Sequence, residues 1–217
     1  MHLFVTGTDT GVGKTHFTGL LLRAWRAAGH RAAALKPIAT GDRADAELLR
    51  AAGGDLLALD EINPIHLREP AAPLVAARAE HRVLDFAALN RAILATGKRF
   101  SHCAIEGVGG WRVPLGPGYE VRDWARDLGL PVVVVARAGL GTLNHTMLTV
   151  ESIRATGLTC AGVVLNPGAP AVPGSSDPDL ARRTNGPLLT ELLALPVFDL
   201  ERLAQAPREI PVWLGGK

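Results

Sequence analysis

Cysteine is nearly absent from the 217-residue chain: Cys103 and Cys160 are the only two, each set in an apolar run (HCAIE and TCAGVVL). Two thiols cannot build a disulfide framework, and a structural zinc site needs more soft ligands. The expectation is a pair of buried, reduced thiols in a cytosolic setting. Aromatic residues are also scarce, at 5%. That disfavours an aromatic-rich sandwich or barrel and favours helices packed on a sheet of Ala, Leu and Val. Charge of one sign is not in excess either, since 23 Lys and Arg face 21 Asp and Glu for a net +2. With no Lys/Arg run besides, no nucleic-acid partner is expected. No uninterrupted apolar stretch approaches the roughly 20 residues that cross a bilayer, so no membrane partner is expected. The opening MHLFVTGTDTGVGKT lacks the basic leader of a secretory signal, and the expected location is the cytoplasm.

What is present suits one large domain over residues 1–217. Hydrophobic residues make up 47% and charged residues 20%, enough for a core and too apolar for global disorder. Apolar runs at His2–Thr6, Arg31–Lys36, His102–Glu106, Pro131–Ala136 and Thr159–Asn166 lack a polar face, as parallel strands covered on both sides do. Between them Lys14–Ala28, Asp85–Thr96, Glu120–Leu128, Thr142–Thr156 and Asp179–Leu193 carry amphipathic helical patterns. Gly29, Gly97, Gly129 and Gly157 stand where a helix end wants a glycine. The alternation predicts a doubly wound, mostly parallel α/β sheet with helices on both faces. Residues 166–178 (NPGAPAVPGSSDP) read as a loop.

The most specific motif is Gly7-Thr8-Asp9-Thr10-Gly11-Val12-Gly13-Lys14-Thr15, placed between a strand and a helix. Glycines let backbone N–H groups turn inward around an anion, and the helix N-terminus adds roughly half a positive charge. In such a phosphate loop Lys14 reaches the β- and γ-phosphates and the Thr15 hydroxyl ligates Mg²⁺. Gly7 stands one residue too far from Gly13-Lys14-Thr15, so the loop is a longer variant of the standard one. A nucleoside triphosphate site follows; the loop alone does not say what the nucleotide is used for.

Carboxylates and a second lysine narrow the choice. Glu106 ends an apolar strand and enters Gly107-Val108-Gly109-Gly110-Trp111. Ligands bind at the carboxyl ends of parallel strands, and an acid there suits a second Mg²⁺ ligand beside Thr15. Lys36 likewise ends a strand, before Pro37-Ile38-Ala39-Thr40-Gly41, and Asp45 lies just beyond with Asp42 as its competitor.

Together these elements resemble the dethiobiotin synthetase family of ATP-dependent carboxylases. The resemblance is carried by GTDTGVGKT at Gly7–Thr15, KPIATG at Lys36–Gly41, EPAAPLVAA at Glu69–Ala77 and EGVGGW at Glu106–Trp111. GLGTLNHTMLT at Gly139–Thr149 and GVVLN at Gly162–Asn166 complete it, in the family's order. The resemblance implies a P-loop NTPase-like fold and conversion of 7,8-diaminopelargonic acid, CO₂ and ATP into dethiobiotin, ADP and phosphate. It further implies Lys36 and Lys14 as catalytic residues and Thr15, Asp45 and Glu106 as magnesium ligands. Gly11, Val12, Gly13, Lys14, Thr15 and His16 then line the triphosphate, with Gly107, Val108 and Gly109 beside them. Thr10, Lys36 and Thr40 face the diamine. Asn166 and Pro167, with Leu195, Pro196 and Val197, flank adenine. A homodimer is implied as well, with Gly141, Thr142, Leu143 and Asn144 binding the substrate's carboxylate tail across the interface. His145 and Met147 are expected to pack.

A rival reading is a nucleotide-switch ATPase of the partitioning and nitrogenase iron-protein group. Such loops usually carry an extra lysine near their start, where Thr6-Gly7-Thr8-Asp9 has none. Some dethiobiotin synthetases place a Glu where this chain has Gly11, so a contact from that acid is missing here. An amidotransferase-type synthetase would want a nucleophilic cysteine, for which the apolar settings of Cys103 and Cys160 are ill suited.

Overall fold

The computed structural model describes residues 1–168, 177 and 180–205. The first strand, β1 (His2–Gly7), runs directly into the glycine-rich loop, and α1 (Lys14–Ala27) follows. Phe17, Leu21 and Trp25 recur every four residues on α1 and are buried, which lays this helix flat on the sheet. After β2 (Ala32–Leu35) come β3 (Ile38–Thr40) and α2 (Ala44–Ala52). The chain continues through α3 (Leu59–Ile62), β4 (Ile65–Leu67), α4 (Pro73–Ala79) and α5 (Phe86–Gly97) to β5 (His102–Glu106). A hairpin of β6 (Pro114–Gly116) and β7 (Tyr119–Glu120) precedes α6 (Val121–Leu128), β8 (Val132–Arg137), α7 (Thr142–Ala155) and β9 (Cys160–Asn166). Then follow α8 (Leu180–Leu193), β10 (Val197–Asp199) and α9 (Leu200–Gln205).

Six strands form one sheet in the order β10-β9-β8-β1-β5-β2, every neighbouring pair parallel. The first strand is therefore interior. From it the chain crosses to β2 on one side, while β8, β9 and β10 are later laid on the other. Connections diverging from one strand end leave a crevice there. Both sheet faces are covered: Leu3 and Val5 pack with Phe17, Leu21 and Trp25 of α1, while Phe4 faces the other core with Trp124 and Val134. The Phe4 and Trp124 rings meet edge to face at 5.3 Å, the arrangement their quadrupoles favour.

The five long strands and five long helices expected from periodicity are present, with ends shifted by a residue or two. Cys103 and Cys160 are buried free thiols, as expected; burial pushes them up to about 12 and about 11. Gly29, Gly129 and Gly157 have the left-handed backbone of helix ends, but Gly97 does not. It is the last residue of α5, buried where a Cβ would meet the His2 ring at 3.8 Å, and the chain leaves through Lys98 instead. Gly97 is thus a packing position. Of the expected loop at 166–178, residues 169–176 and 178 lie outside the described residues, as does residue 179, the expected start of the next helix. Among the described residues no helix is long and apolar enough to cross a membrane.

Candidate active site

The glycine-rich loop closes tightly because Gly7 has no side chain: a Cβ there would sit 2.7 Å from Val12 and 2.9 Å from the Asp9 carbonyl. Gly13, at φ +101°, caps α1 from the left-handed region, which costs glycine little. The helix thereby points its unpaired first-turn N–H groups at the pocket. Lys14 folds back over the loop and donates to the Asp9 carbonyl at 3.0 Å. Arg137, at the end of β8, donates to the Thr10 carbonyl at 3.1 Å.

Two strand ends and two helix starts converge on this loop. Lys36, the residue after β2, places its Nζ 2.5 Å from Glu106 Oε1 and 2.9 Å from Asp45 Oδ2. Thr15, in the first turn of α1, donates its hydroxyl to the same Glu106 oxygen at 2.7 Å. Glu106 is 0% exposed and Lys36 4%, whereas the Asp45 side chain, on the first turn of α2, is 49% exposed. The second Glu106 oxygen, Oε2, is buried with no hydrogen-bond partner among the described residues.

The electrostatics follow from this packing. Burial alone would lower Lys36, but the Glu106 and Asp45 carboxylates outweigh it and raise the amine above its ordinary value. Burial pushes Asp45 up, yet the Lys36 ammonium beside it prevails and the carboxyl sits below its usual range. Lys14 goes the other way: burial, then the nearby Lys36 charge, push it down to about 8. Two ammonium groups held near each other form a site for an anion, and an arriving polyanion would favour the protonated form of Lys14.

A pocket of about 310 Å³ opens over these groups, walled by Thr10, Gly11, Gly13, Lys14, Thr15, His16, Lys36, Thr40, Asp45, Val108 and Gly109, with Ala39 and Asp42. About half of the expected site residues thus line this one cavity. Val12 and Gly107 are buried behind its wall, and Glu106 lies beneath Lys36. Asn166 reaches the loop from β9, donating to the Val12 carbonyl at 3.0 Å. Pro167 follows it, half-buried. Leu195 packs against the core, Pro196 accepts a backbone bond from Val163 at 2.9 Å, and Val197 opens β10. Val197 lines a separate cavity of about 750 Å³ with Leu165 and residues of α8 and α9. Gly141 to Asn144 begin α7 and do not line the 310 Å³ pocket. His145 is exposed while Met147 packs against the core, so the expectation of packing holds for the second only.

The two aspartates differ in their contacts, and the structure adds a residue. Asp42 Oδ1 accepts the Ala44 N–H at 3.1 Å in a local turn just before α2, while Asp45 accepts from Lys36. Asn63, 1% exposed, donates to the carbonyls of Lys36 at 2.8 Å and Ile65 at 3.0 Å and accepts from Arg43 Nε at 2.9 Å. It fixes the backbone from which Lys36 projects. Its sole sequence signal is an amide between apolar residues in INPI.

Residues 1–208 match the family model described as an AAA domain. The chain is 47% identical to the ATP-dependent dethiobiotin synthetase BioD of Akkermansia muciniphila, over 76% of the chain and 78% of that protein. With the protein of the same name from Anaeromyxobacter dehalogenans it shares 49% over 77% of each. With that of Aquifex aeolicus it shares 35%, over 97% of the chain and 94% of the relative. Among solved structures, the cell division protein FtsY of Thermotoga maritima superposes with a TM-score of 0.55 at 16% identity, covering 91% of this chain and 60% of that one. The septum site-determining protein MinD of Pyrococcus horikoshii, complexed with Mg-ADP, gives 0.54 at 17%, covering 100% and 90%. These two likenesses concern the fold alone.

Proposed function

The chain belongs to the ATP-dependent dethiobiotin synthetase family, ligase-type enzymes of biotin biosynthesis, and on that premise we propose how its residues divide the reaction. The substrates are 7,8-diaminopelargonic acid, CO₂ and ATP. One amine takes up CO₂ as a carbamate, losing a proton. A carbamate oxygen then bonds to the γ-phosphorus as the bond to ADP breaks. The second amine attacks the carbonyl carbon of the resulting carbamic–phosphoric anhydride, closing the cyclic urea with loss of phosphate and a proton. The difficult encounter is the first phosphoryl step, in which an anion approaches an anion. Two unit charges at ~4 Å repel by about 4 kcal/mol at an effective dielectric near 20. Phosphoryl transfer is governed by positioning and charge stabilisation.

The observation that carries this assignment is the Lys36 ammonium, buried between Glu106 and Asp45 at the mouth of the phosphate loop. Lys36 is the catalytic lysine, offsetting charge on the carbamate and γ-phosphate, and Lys14 is its partner on the phosphates. Backbone N–H groups of Gly11 to His16 hold the triphosphate, Thr10 and Thr40 orient the diamine, and Asn166 with Leu195 to Val197 faces adenine. Thr15, Asp45 and Glu106 hold Mg²⁺. These are hard oxygen donors, the bare Glu106 Oε2 needs a partner, and magnesium typically takes one or two carboxylates plus phosphate oxygens and water. When bound, the ion supplies neutralisation of phosphate charge. The proposed assembly is a cytoplasmic homodimer of one-domain chains. Its support is that Gly141 to Asn144 lie apart from the pocket of their own chain, beside Leu140, which is 79% exposed.

ADP release by the purified protein tests the reading. Release is expected only with diaminopelargonate and bicarbonate both present, together with a divalent cation. Nucleotide turnover indifferent to the diamine would overturn it.

A further inference from the structure

Asn166 sits 154 positions from Val12 in sequence, yet its Nδ2 donates to the Val12 carbonyl at 3.0 Å. Its Oδ1 accepts the Gly168 N–H at 3.3 Å. The packing is close: a Cβ on Gly13 would lie 2.4 Å from that Nδ2. The Val12 carbonyl and the Gly13 N–H belong to one trans peptide plane, in which the two groups point in opposite directions. An amide that grips the carbonyl from one side therefore turns the N–H to the other, and Gly13 lines the pocket. This peptide also needs a grip. Gly13 stands at φ +101°, and glycine populates both signs of φ readily, so the plane before it is free to flip. Flipped, it would aim a carbonyl oxygen at the phosphates.

We propose that Asn166 is a positioning residue for the triphosphate: its side-chain amide locks the Val12–Gly13 peptide with the N–H toward the anion, independently of any contact with a base. The inference rests on the nucleotide site proposed above. The two roles are compatible. A carboxamide has two N–H groups and two acceptor lone pairs, and the bonds to Val12 and Gly168 use one of each. The remaining donor and acceptor are a matched pair for an adenine edge, so base recognition and loop geometry meet in one side chain.

Inorganic tripolyphosphate, which carries no base, separates the roles. Calorimetric titration of the full chain with tripolyphosphate and with ATP is compared for wild type, Asn166→Ala and Asn166→Leu, the last filling the space without a donor. Tripolyphosphate affinity is expected to fall roughly three- to tenfold in both variants, the worth of one hydrogen bond, and ATP affinity to fall further. Thermal unfolding run alongside identifies the variant that folds, and either one suffices. Unchanged tripolyphosphate binding with weakened ATP binding would make Asn166 a base reader only and overturn the inference while leaving the nucleotide site intact. Failure of the wild type to bind either ligand would bring down the nucleotide site and this inference with it.

Discussion

A lysine ammonium 4% exposed against a carboxylate at 0% is a pair that neither member can leave unanswered. Lys36→Ala strips Glu106 of its counterion, and losing one partner of a buried pair costs about 3–5 kcal/mol. Both product formation and stability are therefore expected to drop in this variant, and a lost activity alone would not separate chemistry from folding. The Lys36→Met/Glu106→Gln pair answers this. With both charges gone, its denaturation midpoint in urea should return most of the way to wild type while dethiobiotin formation stays absent. A double variant as unstable as Lys36→Ala would mean that the charges are not the reason. Residues of this kind were legible in the sequence because each stands at a strand end or a helix start: Lys14, Thr15 and Glu106 beside glycines, Lys36 before Pro37. Asn63 was not, since an isolated amide between apolar residues has no pattern until its hydrogen bonds to the Lys36 and Ile65 carbonyls are seen.

At the scale of elements, long segments with a period announced themselves and short ones did not. The three-residue strands β3 and β4 pair as a small separate parallel sheet, and three residues hold too little alternation to be read. Yet that sheet carries Thr40 to the pocket and leads into α2, which carries Asp45. The three-residue β10 has no readable pattern for the same reason, and its segment suggests no more than a flank for the base. Spacing placed the phosphate loop correctly, but the tie from β9 to Val12 joins distant parts of the chain and is a product of the sheet order. Gly13→Ala tests that junction. The added Cβ meets Asn166 Nδ2 at 2.4 Å and occupies a left-handed backbone, and strain of that kind costs on the order of 1–3 kcal/mol. ATP affinity measured by titration should fall at least tenfold with the far-ultraviolet circular dichroism spectrum unchanged; wild-type affinity would show the loop to be looser than its packing implies.

Across the whole molecule, the rim opposite the pocket holds a cluster of histidines. His102 stacks on His30 at 4.0 Å and lies 5.1 Å from Trp25, with Ser101 Oγ 3.1 Å from its Nδ1. The amino terminus bonds the Ser101 carbonyl nearby, and His2 Nδ1 is buried without a partner among the described residues. Burial, then the positive amino terminus and the charges of His30 and His2, push His102 down to about 4 from 6.5. Between those two values the unfolded chain binds the proton and the folded one does not, so stability is full above about 6.5 and is lost as the pH falls toward 4. The melting temperature should decline over that window, and His102→Gln should flatten the decline; an equal slope in the variant would assign it elsewhere. Doubly wound topology was readable from the alternation of runs, whereas this cluster was not, because His2, His30 and His102 meet only once the strands lie side by side.

His102 and Glu106 are the two ends of one strand, and β5 is aligned on β1 as His2 with Cys103 through Val5 with Glu106. Side chains alternate across a strand, so a slip of a single residue would swing the carboxylate to the wrong face of the sheet. The aim of Glu106 is therefore inherited from a seam that starts at the far edge, about 13 Å away by strand rise. Damage at the histidine end can surface as a misdirected carboxylate at the other, so a fault in this enzyme need not lie where it is felt.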